Sequence, residues 1–400
     1  MGTRAPTLEL AQVIRRFGAA FQRERGHSFT SEQRRALRDV ARCRTKELGG
    51  HRQQCACCGF DEIRYNSCRN RHCPKCHGSE QAKWYAKQKQ WLLPCEYFHV
   101  AFALPEEVNR LVALNPTTIY NALFEAASET IRIIAADPKH LGAQVGTLFL
   151  LHTWGQTLQL HPHLHGIVTG GGLSCNASGK VDAAPKWVSC RPGFFLPVRV
   201  LSRVYRGKFL ALMVTAYREN RLQGFATPNA FRSWMMSLAS HDWVVYAKAP
   251  MAGPEVVLKY LARYTHRVAI GNSRLISINE QMVTFTYKDY RQKSRSKTMT
   301  VSGVEFLRRW VQHVLPRGFV KIRQYGLLAN RCREEKLGLC RRLLLAIATM
   351  WFACGVRVEP ERPRRVCPYC GGRVWTIVER FAAPVLPPDS IRRLRGWDSS

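Results

Sequence analysis

Apolar positions along this chain recur with two periods. Near the start, Leu8, Leu10, Val13, Ile14 and Phe17 fall on one side of a helix, and a second, basic helix is predicted over 31–48. The stretch SEQAKWYAKQKQWL, also helical in period, closes this first region. The pattern then changes. EYFHVAFALP reads as a strand stopped at Pro105, and PTTIYNALFEAASETIRIIA returns to the helical period. GTLFLLHTWGQTL and HPHLHGIVTGGG read as neighbouring strands joined by a short turn, a predicted hairpin. RVLSRVYRGKFLALMVTAY predicts a helix, HDWVVYAKAP a strand, and GPEVVLKYLARYTHRVAI a helix that starts at Pro254. Two more strands follow in RLISINEQMVTFTYKDY, then a basic stretch RQKSRSK, a helix VEFLRRWVQHVL and an apolar run over 343–356.

Strands and helices that alternate irregularly, with hairpin links, favour an α+β fold: an antiparallel sheet with helices packed on one face. Three regions are expected. Residues 1–95 form a helical and zinc-binding domain, 96–290 carry the sheet, and 291–400 form a basic, mainly helical C-terminal region. At 400 residues with 46% apolar content, the chain can support two or three domains with a sizeable core. The apolar run over 343–356 is too short to span a bilayer and reads as a buried helix. The N-terminus lacks the apolar segment of a signal peptide, so a soluble intracellular protein with no membrane partner is expected.

Charge narrows the function. Lys plus Arg number 61 against 28 acidic residues, a formal net charge of +33. An excess of that size points to a polyanionic partner, most often nucleic acid. The basic residues are spread along the whole chain, which argues for a basic folded surface and against a basic arm on a neutral domain.

In a reducing compartment the 15 cysteines are expected to serve as metal ligands and not as a disulfide framework. Cys55, Cys58, Cys73 and Cys76 form two C-x2-C knuckles, the spacing of a tetrahedral four-thiolate zinc site. Cys57, Cys68 and His72 lie within reach, so one ligand could be exchanged or a second ion shared. Arg52, Arg64, Arg69, Arg71 and Lys75 surround the knuckles. Arg69, Arg71 and Lys75 are candidate DNA contacts, although a fold staple with incidental charge would look the same. Cys367 and Cys370 form a lone late knuckle for which Cys332, Cys340 and Cys354 are all open as partners.

Strand alternation puts His161, His163 and His165 on one face. The outer two are about 13 Å apart by strand rise, so His163 and His165 are the pair able to share an ion. On the predicted helix Tyr260 and Tyr264 lie one turn apart. A phenol oxygen can attack a phosphodiester and form a covalent intermediate. The competing reading makes Val257, Tyr260, Leu261, Tyr264 and Val268 an amphipathic core stripe.

In combination and in this order, the YNSCRNRHCPKC segment, the HPHLH strand and the YLARYTHR helix resemble the IS91 family of rolling-circle insertion-sequence transposases. These belong to the two-tyrosine class of the HUH (His-hydrophobe-His) nuclease superfamily. WVVYAKAP, GPEVVLKYLARYTHRVAI and QYGLLANR extend the resemblance over roughly residues 30–335. The resemblance implies an antiparallel HUH nuclease core with the histidines on a central strand and the tyrosine helix across it. It implies Mg2+ or Mn2+ at His163 and His165, Zn2+ in the N-terminal module, and attack by Tyr260 or Tyr264 to give a 5′-phosphotyrosine and a free 3′ hydroxyl. A third polar ligand is expected on the neighbouring strand: Gln156 first, His152 as fallback. Arg263 and Arg267, on the tyrosine helix, are candidate contacts to DNA. The partner is then single-stranded DNA at element ends and target, in the bacterial cytoplasm at the nucleoid. With no GxxxxGK[ST] loop, unwinding falls to a host helicase. A non-catalytic zinc-containing replication or regulatory protein, a zinc hydrolase, and a replicative nickase with the same chemistry are the alternatives.

Overall fold

The computed structural model describes residues 8–76, 84, 87–176, 178–248, 268–292, 294–348 and 366–384. In chain order the main elements are α1 (Leu10–Arg25), α2 (Ser31–Arg42), β1 (Gly50–Cys55), β2 (Asp61–Tyr65), β3 (Tyr97–Ala103), α3 (Pro116–Ala136), β4 (Ala143–Trp154), β5 (Leu160–Ser174) and β6 (Trp187–Ser189). They continue with α4 (Val198–Arg218), α5 (Pro228–Ala239), β7 (Val245–Lys248), β8 (Leu275–Ile278), β9 (Met282–Asp289), β10 (Arg295–Ser302), α6 (Gly303–Val311), β11 (Ile322–Gly326), α7 (Arg333–Ala348) and β12 (Trp375–Phe381). Among the described residues no helix is long and apolar enough to cross a membrane.

These elements form two compact units. One draws on described residues within 1–79, 267–314 and 353–400, the other on those within 80–266 and 315–352. The expected cuts after residues 95 and 290 therefore do not coincide with the units, because strand pairing gathers segments that are remote in the chain. Among its described residues the region 291–400 is less helical than expected: β10, β11 and β12 each pair into a different sheet.

The first unit holds two antiparallel three-stranded sheets, ordered β12-β1-β2 and β10-β9-β8. Thr30 starts α2 with a reciprocal cap: its hydroxyl accepts from the Gln33 N–H at 3.2 Å and its own N–H donates to the Gln33 side chain at 2.9 Å. The buried stripe of α1 contains Leu10, Val13, Ile14 and Phe17, as read from the sequence, and extends to Phe21, while Leu8 lies before the helix. Phe17 packs so closely on Gly303, the first residue of α6, that no Cβ fits there.

The second unit is built on a six-stranded antiparallel sheet, ordered β11-β4-β5-β3-β7, with β6 added beside β5. Alternation along each strand sorts its side chains onto two faces. Phe98, Val100 and Phe102 of β3, Phe149 and Leu151 of β4, and Leu164 and Val168 of β5 point to one core. There they meet Leu123, Phe124 and Ile131 of α3, Tyr205 and Phe209 of α4, and Trp234 of α5. The opposite face carries Tyr97, Leu148 and Ile167, covered by Leu337, Cys340 and Leu344 of α7. Helices α3 and α4 thus pack on one face as the sequence predicts, joined by α5, which was not read as a helix, while α7 covers part of the other.

Candidate active site and metal centres

The face that carries Ile167 also carries the histidines. His163 stands directly opposite His152 across the β4–β5 pair, and His165 stands opposite Ala101 of β3. One nitrogen from each of His152, His163 and His165 lies within 4.8 Å of the others. The Nε2 atoms of His163 and His165 are 3.1 Å apart. Two nitrogens held about 2.1 Å from one ion at a right angle lie about 3.0 Å apart, so the pair fits a shared cation.

The outward nitrogens are also fixed. His163 Nδ1 donates to the His161 carbonyl at 2.7 Å, which leaves the Nε2 lone pair free in the neutral ring. His165 Nδ1 meets His99 Nε2 at 3.1 Å. Burial pushes His99 and His163 down to about 4, so both rings are neutral near pH 7, the form in which imidazole binds a metal. His152 and His99 are buried, whereas His161 is exposed; its carbonyl holds His163 Nδ1 and its ring lies 5.0 Å from the His163 ring.

Gln156, the first expectation for a third ligand, lies in the turn beyond the end of β4; the fallback, His152, stands on the strand and brings a ring nitrogen beside those of His163 and His165. The strand ends at Trp154, and antiparallel register alone decides which residue faces His163. Two further residues of this face escaped the sequence reading. His99 holds the ring of His165, and Tyr246 of β7, half exposed, lies opposite Ala101 with its ring 6.4 Å from that of His99. The alternation Tyr97, His99, Ala101 was the signal for His99. Tyr260, Tyr264, Arg263 and Arg267 lie outside the described residues.

The cysteines divide differently from the expected quartet. Cys55, Cys58, Cys73 and Cys76 do not come together. Cys73 and Cys76 join Cys43 and Cys68, while Cys55 and Cys58 lie with Cys367 and Cys370. The two knuckles part because β1 carries Cys55 into the β12-β1-β2 sheet, whereas Cys43 ends α2 and faces the Cys73–Cys76 turn. In the first group Cys76 Sγ lies 3.5 Å from Cys43 Sγ and 3.6 Å from Cys68 Sγ. Four thiolates about 2.3 Å from one tetrahedral ion lie about 3.8 Å apart, so the donor set and its spacing fit zinc. Hydrogen bonds from the Cys68 and Cys73 thiols draw Cys43 down to about 7, toward the thiolate that a metal requires.

Of the basic rim, Arg69 is exposed, with a left-handed backbone at φ 54°. Arg71 is half-buried, and desolvation lowers its pKa. The Lys75 ammonium is already engaged, 2.8 Å from the Glu9 carboxylate.

Comparison with known proteins bears on both units. Residues 146–336 match a family described as "Putative transposase", and residues 13–104 match the "Transposase zinc-binding domain", a segment that contains Cys43, Cys68, Cys73 and Cys76. A Sinorhizobium fredii protein named "Putative transposase y4qJ" is 44% identical over 406 residues, covering 98% of each chain. The "Transposase for insertion sequence element IS801" of Pseudomonas savastanoi pv. phaseolicola is 30% identical over 344 residues, covering 83% of this chain and 80% of its own. No solved structure matches. With nearly full-length similarity on one side and a zinc-binding domain holding a complete four-cysteine set on the other, this chain belongs to the IS91 family of transposases and carries their N-terminal zinc-binding domain.

Proposed function

We propose that this transposase cuts and rejoins single-stranded DNA through a 5′-phosphotyrosine, at the histidine site on the face of the six-stranded sheet that carries Ile167. The observation that carries the reading is the convergence of His152, His163 and His165 on one point, each offering a ring nitrogen. Oxygen-preferring ions suit such a nitrogen-rich set only moderately, so Mn2+ is the better candidate and Mg2+ the weaker one. A divalent ion bound there would withdraw charge from a scissile phosphate. The chain's own groups do the rest. The His161 carbonyl and the His99 ring hold His163 and His165 in orientation, and Tyr260 or Tyr264 supplies the phenol oxygen. The new tyrosyl–phosphate bond replaces the phosphodiester bond and releases a 3′ hydroxyl. Bond energy is conserved in the linkage, so the reverse attack by a 3′ hydroxyl rejoins strands without ATP. Two tyrosines allow one to hold an end while the other cuts again. Arg69, Arg263 and Arg267 are proposed to contact the DNA backbone, and a host helicase to supply the single strand.

The test is incubation of the purified protein with Mn2+ and end-labelled single strands from its element's ends, resolved on a denaturing gel. Tyr260→Phe, Tyr264→Phe and the double variant run alongside. A protein–DNA adduct that disappears in the double variant supports tyrosine transesterification. Cleavage with no adduct would favour a metal hydrolase, and DNA binding with neither would favour a non-catalytic DNA-binding protein.

A further inference from the structure

We propose that Cys55, Cys58, Cys367 and Cys370 form a second, structural zinc site that ties the C-terminal strand of the chain to the N-terminal zinc-binding domain. The match to that domain ends at residue 104, so it contains only half of these ligands. Cys55 Sγ lies 3.8 Å from Cys370 Sγ, Cys58 Sγ lies 3.7 Å from Cys367 Sγ, and all four sulfurs fall within 4.8 Å of one another. These spacings are those of four thiolates on one tetrahedral ion, about 3.8 Å, and far exceed a disulfide bond of about 2.05 Å.

The two halves are built alike although more than 300 residues separate them. Each is C-x2-C-G, CACCG at 55–59 and CPYCG at 367–371. In the first, the Cys55 N–H donates to the Phe60 carbonyl at 2.9 Å and the Gly59 N–H to the Cys55 carbonyl at 2.9 Å. In the second, the Cys367 N–H donates to the Gly372 carbonyl at 2.7 Å and the Gly371 N–H to the Cys367 carbonyl at 2.9 Å. Gly59 and Gly371 take nearly the same left-handed conformation, φ 73° and 74°. Each loop therefore turns both of its sulfurs toward the same point. Gly372 is also constrained: a Cβ there would lie 2.8 Å from Cys57 Sγ and 3.2 Å from Cys370 Sγ.

The loops meet because β12 runs antiparallel to β1, from Cys55 opposite Trp375 to Gly50 opposite Phe381. That strand has little to hold it by burial. Val374, Ile377 and Val378 are all exposed, and the strand's pairing with β1 is broken by a register shift. A strand that buries so little apolar surface needs another source of free energy, and a closed four-thiolate site supplies it on metal binding. Of the other candidate partners, Cys340 is buried on the inner side of α7 in the second unit and Cys332 contacts the Gly326 carbonyl, while Cys354 lies outside the described residues.

The experiment uses the full chain and measures zinc by elemental mass spectrometry. The parent should carry two zinc ions per chain, and both Cys367→Ser/Cys370→Ser and Cys43→Ser/Cys68→Ser should carry one. Alkylation of the native parent, followed by peptide mapping, covers the case in which the variants do not fold. Cys55, Cys58, Cys367 and Cys370 should resist labelling until a chelator is added, whereas exposed Cys57 labels at once. One zinc in the parent overturns the proposal. So do two zinc ions in the Cys367/Cys370 variant, iron in place of zinc, or labelling of Cys367 and Cys370 in the zinc-loaded chain.

Discussion

Gly166→Ala should destabilise the second unit and loosen the histidine site, although it adds one methyl group and removes no ligand. Gly166 lies between His165 and Ile167 on β5 and faces the opposite side from both. Its cross-strand neighbours are Phe149 on β4 and Val100 on β3. A Cβ at this position would lie 2.7 Å from Phe149 Cδ1 and 2.7 Å from Val100 Cγ2. Contact between carbon atoms is comfortable at about 3.5–4.0 Å, so roughly 1 Å must be found. Neither neighbour can readily yield it. Both are fully buried, and the Phe149 ring stands edge-on to Phe102 at 5.8 Å and Tyr325 at 6.1 Å. Overpacking of this kind costs about 1–3 kcal/mol. At roughly 2–4 °C per kcal/mol for a unit of this size, the melting temperature should fall by about 2–12 °C. Relief by sliding β5 away from β4 would also move His163 and His165 relative to His152, so Mn2+ should bind more weakly.

Gly207 provides the control. It lies on the exposed side of α4, and a Cβ there meets nothing within 4 Å. Gly207→Ala should stabilise by about 0.5–1 kcal/mol through helix propensity and a less free unfolded chain. Both variants are compared with the parent by urea unfolding at 25 °C and by calorimetric titration with Mn2+. An unchanged midpoint for Gly166→Ala, or shifts of the same sign for the two alanines, would refute the packing argument.

Three other predictions concern charge and the metal. His99→Phe keeps the burial but removes the nitrogen facing His165 Nδ1, and should weaken Mn2+ binding about 10–100-fold in calorimetry; His99→Gln, whose amide oxygen can accept the same proton, should recover part of the loss. Glu305 accepts from Arg308 Nε at 2.5 Å and Arg309 Nε at 2.6 Å, which lower it from 4.5 to about 2. Its folded pKa is below the unfolded one, so its stabilisation is present above about pH 4.5 and is lost as pH falls toward 2. The difference in unfolding midpoint between the parent and Glu305→Gln should therefore be visible at pH 6 and vanish near pH 2; a difference that does not change with pH would count against the ion pairs. Arg69→Ala should reduce the slope of log K against log salt for single-stranded DNA by about 0.7, whereas Lys75→Ala, whose ammonium is already paired with Glu9, should leave it unchanged. Equal slope changes in a filter-binding series would show that Lys75 is free to reach phosphate.

What was legible in the sequence was whatever depends on a local period. The stripe of α1, the long helices α3 and α4, and the β4–β5 hairpin follow from apolar spacing, and the alternation of HPHLH put His163 and His165 on one face before any pairing was known. Strands with weak alternation were missed. In β10 the positions facing inward are Lys297, Met299 and Val301, none fully buried, and the segment read as a basic stretch instead. In β12 exposed Ile377 and Val378 gave no period at all. The placement of His152 lay between these cases. Trp154 pairs with Leu160, so counting back two residues on β4 and forward three on β5 reaches His152 and His163, the offset being absorbed by an irregularity between His152 and Trp154. An ideal two-residue count would have placed His152 opposite Pro162, on the wrong face. That irregularity sits at the hairpin end: from Leu148 to His152 the register is unbroken, so alternation along β4 puts His152 on the face of Leu148 and opposite His163.

The cysteines mark where a local rule stops. C-x2-C predicts a knuckle because the turn is made within the motif, and all three knuckles exist as turns. Which knuckles share an ion is a question of sheet topology. Cys55 and Cys58 were matched to Cys73 and Cys76 because those pairs are near in the chain, yet β1 pairs with β12, and that pairing brings in Cys367 and Cys370. Cys43, in contrast, belongs to no C-x2-C motif; it enters its set because α2 ends there and its N–H closes the last turn on the Val40 carbonyl. The same topology explains why the compact units do not follow the expected boundaries. A unit assembled from three stretches of chain cannot be cut out at two points, so an N-terminal fragment that ends near residue 95 should retain the Cys43 set but lack half the ligands of the other.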